Sequence, residues 1–251
     1  MATTKQHWRV IFSGSCDPYF NMGLDEALLL TRQSPPTLRL YQWRSPCLSL
    51  GYFQASSDFD PDFLKTKGFR LTRRITGGGA IAHRHEITYS ITCNEDHPAI
   101  MKDITKSYFE FHTPIIRALQ EFGLNVDSGE QAETDASSGR DAYCFKRRAG
   151  FDLTVDGRKV GGSAQRRTQR RFLQHGSIIL QPSGLPDGAA ALDEFARKPL
   201  DDDDIMAGVA AAFCDYFDIN SSHEQPSARE YSLAEELAHS KYAAGEWINK
   251  R

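Results

Sequence analysis

The sequence predicts an α+β fold of mixed and antiparallel sheets packed with helices, and three observations carry that prediction. Short segments such as 37–43 and 151–155 alternate apolar and polar residues with a period of two, as half-buried strands do. Longer segments carry helical periodicity behind recognisable caps. The two kinds are mixed along the chain rather than strictly alternating, which is the order of α+β folds. No linker divides the 251 residues, so 1–251 reads as a single domain, with the helices of 201–251 part of the same unit.

Taken in order, residues 8–13 read as an opening strand. Asp17-Pro18 then pairs an N-cap with proline at the first helical position, and the helix runs to about Arg32, where Pro35-Pro36 stops it. Residues 37–43 alternate, and 48–53 is a second short apolar run. Asp60-Pro61 repeats the cap, and Gly68 ends that short helix. A glycine-rich segment follows, with Arg73 and Arg74 ahead of Gly77-Gly78-Gly79 and a strand over 87–91. Residues 105–122 form a helix ended by Gly123, in which Pro114 predicts a kink or a later start. Residues 127–139 are polar and read as a mobile loop. Residues 151–155 and 158–160 form a hairpin around Asp156-Gly157, a type I′ signal. A strand over 172–180 precedes a turn at 182–186. Asp201 to Asp204 open a helix over 205–217, where acids suit the positive end of its dipole. Ser232 with Glu235 predicts a capping box for a last helix reaching about Ala244.

Composition narrows function. Forty per cent apolar and 25% charged is ordinary for a soluble protein. No apolar run approaches the roughly 20 residues of a membrane span, and residues 1–10 hold no apolar signal core, so the expected location is cytoplasmic. Five scattered cysteines with no CxxC pair argue against a disulfide framework or a zinc site, and no metal is expected. A net charge of -3 argues against general nucleic-acid binding. Residues 140–171 nevertheless hold ten Lys or Arg against three Asp, a basic face suited to an acidic partner or an anionic ligand.

The chemistry concentrates between residues 141 and 180. Cys144 stands beside Lys146, Arg147 and Arg148, and cations favour a thiolate nucleophile. The hairpin returns Lys159 toward Cys144, where an ammonium supports the thiolate and can hydrogen-bond a carbonyl oxygen. The amides near Gly77 to Gly79, or near Gly161-Gly162-Ser163, are candidate oxyanion donors. His175 or His83 as base is a rival arrangement, and the residues alone leave lysine and histidine open. The glycine run by itself is also compatible with a simple hairpin turn; it matches neither GxxxxGK[ST] nor GxGxxG. Cys16, Cys47, Cys93 and Cys214 read as packing residues.

Ordered motifs over the whole length carry a resemblance. They are Asn21-Met22-Gly23-Leu24-Asp25-Glu26-Ala27, Leu48-Ser49-Leu50-Gly51-Tyr52-Phe53-Gln54, the segment 73–83, residues 86–90, Cys144-Phe145, Gly157-Arg158-Lys159-Val160, Gly162-Ser163-Ala164-Gln165, Leu173-Gln174-His175-Gly176-Ser177, Lys241-Tyr242-Ala243 and Glu246-Trp247. The chain resembles the lipoate–protein ligase and octanoyltransferase superfamily, whose catalytic domain is shared with biotin protein ligases, and within it the LipM-type octanoyltransferases. The resemblance implies a biotin/lipoate ligase-like catalytic domain. It implies transfer of an octanoyl group from acyl carrier protein to a lysine of a lipoyl-domain protein such as glycine cleavage H protein. Cys144 falls on the thioester-forming cysteine. Lys159 falls on the lysine that lowers that thiol's pKa and holds the acyl carbonyl, which favours lysine over histidine. The candidate substrate-binding set is Arg73, Arg74, Gly77, Gly78, Gly79, His83, Gly162, Ser163, Ala164 and His175. No cofactor is implied, and the expected state is a monomer. Gly79 stands where LipM-like chains carry arginine, as in lipoate ligases, and Arg84 stands where the family commonly has Asp. An ATP-dependent lipoate–protein ligase, needing ATP and Mg, is the alternative. A non-catalytic carrier-binding protein is a third reading, and it gives no use to the thiol.

Overall fold

The computed structural model describes all residues except 1–4, 32, 129–141, 147–148 and 169. Its first half runs β1 (His7–Cys16), α1 (Pro18–Leu30), β2 (Thr37–Trp43), β3 (Cys47–Leu50), α2 (Pro61–Thr66), β4 (Arg70–Arg73), β5 (Ile81–His83), β6 (Glu86–Asn94) and α3 (Ile104–Glu121). The second half runs β7 (Val126–Ser128), β8 (Leu153–Val155), β9 (Arg158–Thr168), β10 (Arg171–Ile179), α4 (Asp202–Tyr216), β11 (Asn220–His223), α5 (Ala228–Leu237) and α6 (Gly245–Ile248).

Among the described residues an eight-stranded sheet has the order β11-β1-β2-β6-β10-β9-β8-β7 and a three-stranded sheet the order β4-β3-β5. The larger sheet is mixed: β1 pairs in parallel with β2 and β11, whereas β2, β6, β10 and β9 pair antiparallel. This is the predicted class. Strand alternation decides what each face buries. Val10, Leu40 and Phe172 share a core with Phe111 of α3 and Phe213 of α4. Their neighbours Ile11, Tyr41 and Leu173 turn the other way, toward α1 and the C-terminal segment. Each such large side chain, buried outright, contributes about 1.5–3 kcal/mol.

Local chemistry explains the element ends. Asp17 accepts from the Tyr19 amide ahead of α1 and Asp60 from the Asp62 and Phe63 amides ahead of α2, each with proline in the first turn. Asp201 caps α4, whose first turn holds three further acids. The β8–β9 turn has φ of 49° at Asp156 and 72° at Gly157, as a type I′ turn requires.

Several expectations are corrected. Helix α3 is continuous through Pro114 and starts at Ile104. Asp127 and Ser128 are paired in β7 rather than loop, and most of the expected 127–139 loop lies outside the described residues. The last capping box is Ser227 with Glu230; Ser232 is inside α5. That helix ends at Leu237, and a wider turn over Ala238–Tyr242 follows it. Strands β4, β5, β7 and β11, absent from the sequence reading, exist through long-range pairing. No described helix is long and apolar enough to cross a membrane.

Candidate active site

Lys159 is the second residue of β9 and pairs across the hairpin with Thr154. Its Nζ lies 3.7 Å from Cys144 Sγ and 3.2 Å from the Cys144 carbonyl oxygen. The same Nζ lies 2.8 Å from Asp152, both side chains being under 5% exposed. The hairpin therefore brings cysteine and lysine together as expected, and Asp152 joins them.

Cys144 is docked on the glycine run. Its amide donates to Ala80 O at 2.9 Å, and the Ala80 amide donates to Ala142 O at 2.9 Å. A Cβ on Gly79 would stand 2.7 Å from the Cys144 amide nitrogen, closer than side chains tolerate, so only glycine lets the two segments meet here. Gly78 adopts φ of 92°. Arg74 holds this loop from beneath, donating to Gly77 O at 2.8 Å and Gly79 O at 2.7 Å. Burial pulls its guanidinium down to about 10, and it remains a cation at neutral pH.

Two cavities meet at Cys144. A mouth of about 280 Å³ is lined by Gly77 to Gly79, Tyr108, Phe151, Asp152, Lys159 and Ser163 to Gln165. A narrow inner slot of about 30 Å³ is lined by Met22, Tyr41, Trp43, Arg74, Ile81, His83, Ser163, Ala164 and His175, among others. Both histidines belong to the slot, yet their ring nitrogens are engaged away from the thiol. His83 contacts Glu86 through Nδ1 and Ser49 through Nε2, each at 2.7 Å, and stacks on Trp43. His175 contacts Asp25 through Nδ1 at 3.0 Å and Thr76 through Nε2 at 2.7 Å. Burial holds His175 below the usual histidine range, with Asp25 opposing. Burial raises Asp25, but His175, the Arg39 charge and Ser90 outweigh it and hold the carboxyl below its usual range.

Arg73 does not join the site. It is fully buried, and its guanidinium donates to the carbonyls of Gly51, Tyr52, Gln54, Trp247 and Ile248. It ties β4 to the 51–54 loop and the C-terminal turn. Gly162 lines neither cavity; a Cβ there would meet Lys159 Cε at 3.0 Å, so it leaves room for the lysine stem. Arg84 lies on a separate, larger cavity of about 790 Å³, with Arg44, Arg197 and Lys198, and donates to Ser183 O. Cys47 and Cys93 are fully buried, and burial pushes Cys93 up to about 12.

Sequence reasoning missed Asp152, Tyr108, Phe151 and His112. Asp152 reaches the level of Gly162 through a register shift between Leu153 and Thr154, which the sequence does not signal. Tyr108 stacks on Phe151 at 4.0 Å, a contact between elements far apart in sequence. Among the described residues no group of three or more His, Cys, Asp or Glu gathers as a metal site.

The chain matches the Lipoyl protein ligase A/B catalytic domain over residues 17–209. Octanoyltransferase LipM of Geobacillus kaustophilus (strain HTA426) is 34% identical, covering 98% of this chain and 99% of its own. Octanoyltransferase LipM of Bacillus subtilis (strain 168) is 32% identical over the same shares. Among solved structures, lipoate-protein ligase A bound with ATP has a TM-score of 0.78 at 22% identity, covering 98% of this chain and 99% of that one. A chain from the bi-partite lipoate protein ligase system of Thermoplasma acidophilum has a TM-score of 0.78 at 20% identity, covering 97% and 96%. These structural likenesses concern the fold. The family match spans well over half the sequence and the relatives nearly all of it: the chain belongs to the Lipoyl protein ligase A/B catalytic domain family.

Proposed function

We propose that the chain is an octanoyl-[acyl carrier protein]:protein N-octanoyltransferase acting in protein lipoylation. The observation that carries the reading is Lys159 Nζ at 3.7 Å from Cys144 Sγ, at the junction of an open mouth and a narrow, largely apolar slot. The whole chain acts as one catalytic unit. Lys159, held by Asp152 at 2.8 Å, stands within reach of the Cys144 sulfur and of a carbonyl bound beside it. The thiolate attacks the donor thioester; a new C–S bond forms, the carrier's C–S bond breaks, and the carrier thiolate leaves and takes up a proton. The acyl carbonyl sits in the mouth within reach of Lys159, and its chain points toward the slot, which at about 30 Å³ has to widen to admit it. The lysine amine of a lipoyl-domain protein then attacks the acyl-enzyme and yields an amide. Thioester to amide is downhill, so this course calls for no ATP and no cofactor. The basic face around Arg166 and Arg167 suits an acidic acyl carrier protein. The five cysteines are unpaired, which suits a reducing cytoplasm. An ATP-dependent ligase finds support in Gly79 but has no use for Cys144.

Intact mass after mixing with octanoyl-acyl carrier protein, without ATP, tests the proposal. The expected result is an octanoyl adduct that hydroxylamine removes and that Cys144→Ser lacks. No adduct, with lipoate transferred to a lipoyl domain only when ATP is present, overturns it in favour of the ligase.

A further inference from the structure

His112 is a buried titratable group beside the site that this scheme leaves without a task. It sits in the middle of α3 and is fully buried. Its Nδ1 lies 2.6 Å from the Phe151 carbonyl oxygen. A carbonyl only accepts, so Nδ1 carries the proton of the neutral ring and Nε2 is left as an acceptor. Nε2 faces the Ser163 hydroxyl at 2.8 Å and the Tyr89 hydroxyl at 3.0 Å. Tyr89 is itself held by an amide hydrogen from Gln174 at 3.2 Å. Burial pushes the ring down, the Phe151 hydrogen bond opposes, and the Lys159 charge adds to the fall, leaving His112 at about 4. At neutral pH the ring is neutral.

Ser163 lines both the mouth and the inner slot, as Cys144 does. A serine hydroxyl has one proton and two lone pairs. With the proton given to His112 and one lone pair facing the Tyr89 hydroxyl, one lone pair remains for whatever enters beside Cys144.

We infer that His112 is a positioning residue for the amine half of the reaction: it draws the Ser163 proton inward, so that the Ser163 oxygen accepts an N–H from the incoming lysine amine and turns its lone pair toward the thioester carbonyl on Cys144. The inference rests on the acyl-enzyme reading above. In this step the C–N bond forms, the C–S bond to Cys144 breaks, and the amine's departing proton goes to the Cys144 sulfur. His112 ends the step as it began, with its proton on Nδ1. An acceptor at this place serves an amine. It does little for the arriving thioester, which has no N–H at its reacting atoms, so the effect falls on discharge of the acyl-enzyme more than on its formation.

Two substitutions separate the two ends of the ring. His112→Asn keeps an amide nitrogen where Nδ1 stood, toward Phe151, and removes the acceptor for Ser163. His112→Gln places an amide oxygen near the Nε2 position and restores that acceptor. Each variant, with Ser163→Ala, is followed by intact mass in a single turnover, first loaded from octanoyl-acyl carrier protein and then discharged to a lipoyl-domain protein. The expected result is a ratio of discharge rate to loading rate about tenfold below wild type in His112→Asn and Ser163→Ala, and within about threefold of wild type in His112→Gln. A wild-type ratio in His112→Asn, or a ratio in His112→Gln as low as in His112→Asn, overturns the inference and leaves the acyl-enzyme standing. A wild-type protein that takes up no acyl group removes the acyl-enzyme reading itself, and this inference with it.

Discussion

Replacing Gly51 with alanine sets the end of β3 against the glycine run that carries Cys144. An ideal Cβ at Gly51 would lie 1.9 Å from Gly78 O, 2.9 Å from Gly78 C and 3.3 Å from Gly77 C. All three are backbone atoms, so no side-chain rotation relieves the contact. Bringing the shortest to 3.0 Å requires the strand end and the loop to part by about 1.1 Å. The loop is not free to move alone: Arg74 grips Gly77 and Gly79, and Ala80 is bonded to Ala142 and Cys144. The displacement is therefore passed to the nucleophile. Overpacking of this kind costs about 1–3 kcal/mol, partly offset by about 0.4–1 kcal/mol from the stiffer unfolded chain. At about 2–4 °C per kcal/mol for a chain of this size, the Tm falls by several degrees. A nucleophile misplaced by roughly 1 Å loads on the order of 10²-fold more slowly. Gly77→Ala is the comparison for stability, because nothing lies within 4 Å of its Cβ position; its Tm stays within about 2 °C of wild type. Loading rate by intact mass and Tm by circular dichroism are the measurements. Gly51→Ala with a wild-type Tm and loading rate would refute the reasoning.

Glu230 is a second point of attack. Burial raises its carboxyl, but hydrogen bonds from Arg9, Ser34 and the Ser227 amide, with the Arg9 charge, hold it down at about 2. Because the folded value is depressed, the stabilisation is complete above the ordinary 4.5 and is lost as pH falls toward 2. Urea denaturation of wild type should lose about 2–3 kcal/mol more than Glu230→Gln between pH 5.5 and about pH 2; parallel pH profiles would sink the assignment. Ser227→Ala should cost about 1 kcal/mol by removing a cap, whereas Ser232→Ala, exposed within α5, should stay within about 0.5 kcal/mol. The reverse order would restore Ser232 as the helix start.

What was legible came from short-range physics. Asp17-Pro18 and Asp60-Pro61 were readable because a cap is made by a side chain and amides two or three residues away. The β8–β9 hairpin was readable because Asp-Gly accepts two positive φ angles and the flanking residues alternate. That turn returns Lys159 toward the start of its hairpin, while the docking of Cys144 on Ala80 completes the approach. The family motifs were equally visible, since they are strings in the chain.

The rest depended on residues meeting across long separations. Ser227-Ala-Arg-Glu230 and Ser232-Leu-Ala-Glu235 are equivalent as capping boxes. The first wins because Arg9, 221 positions away, forms two hydrogen bonds to Glu230 at 2.8 Å. Arg73 ends β4, Arg74 follows it, and the two serve different places: one holds the C-terminal turn, the other the glycine loop. His112 reads as one more residue on the packed face of a helix, and only the arrival of Phe151, Tyr89 and Ser163 makes it part of a site. The sequence by itself determined the α+β class and the local caps and turns, because neighbouring atoms settle those. The tertiary structure decided which polar groups are buried and what they touch, because burial and partner choice depend on surfaces contributed by the whole chain.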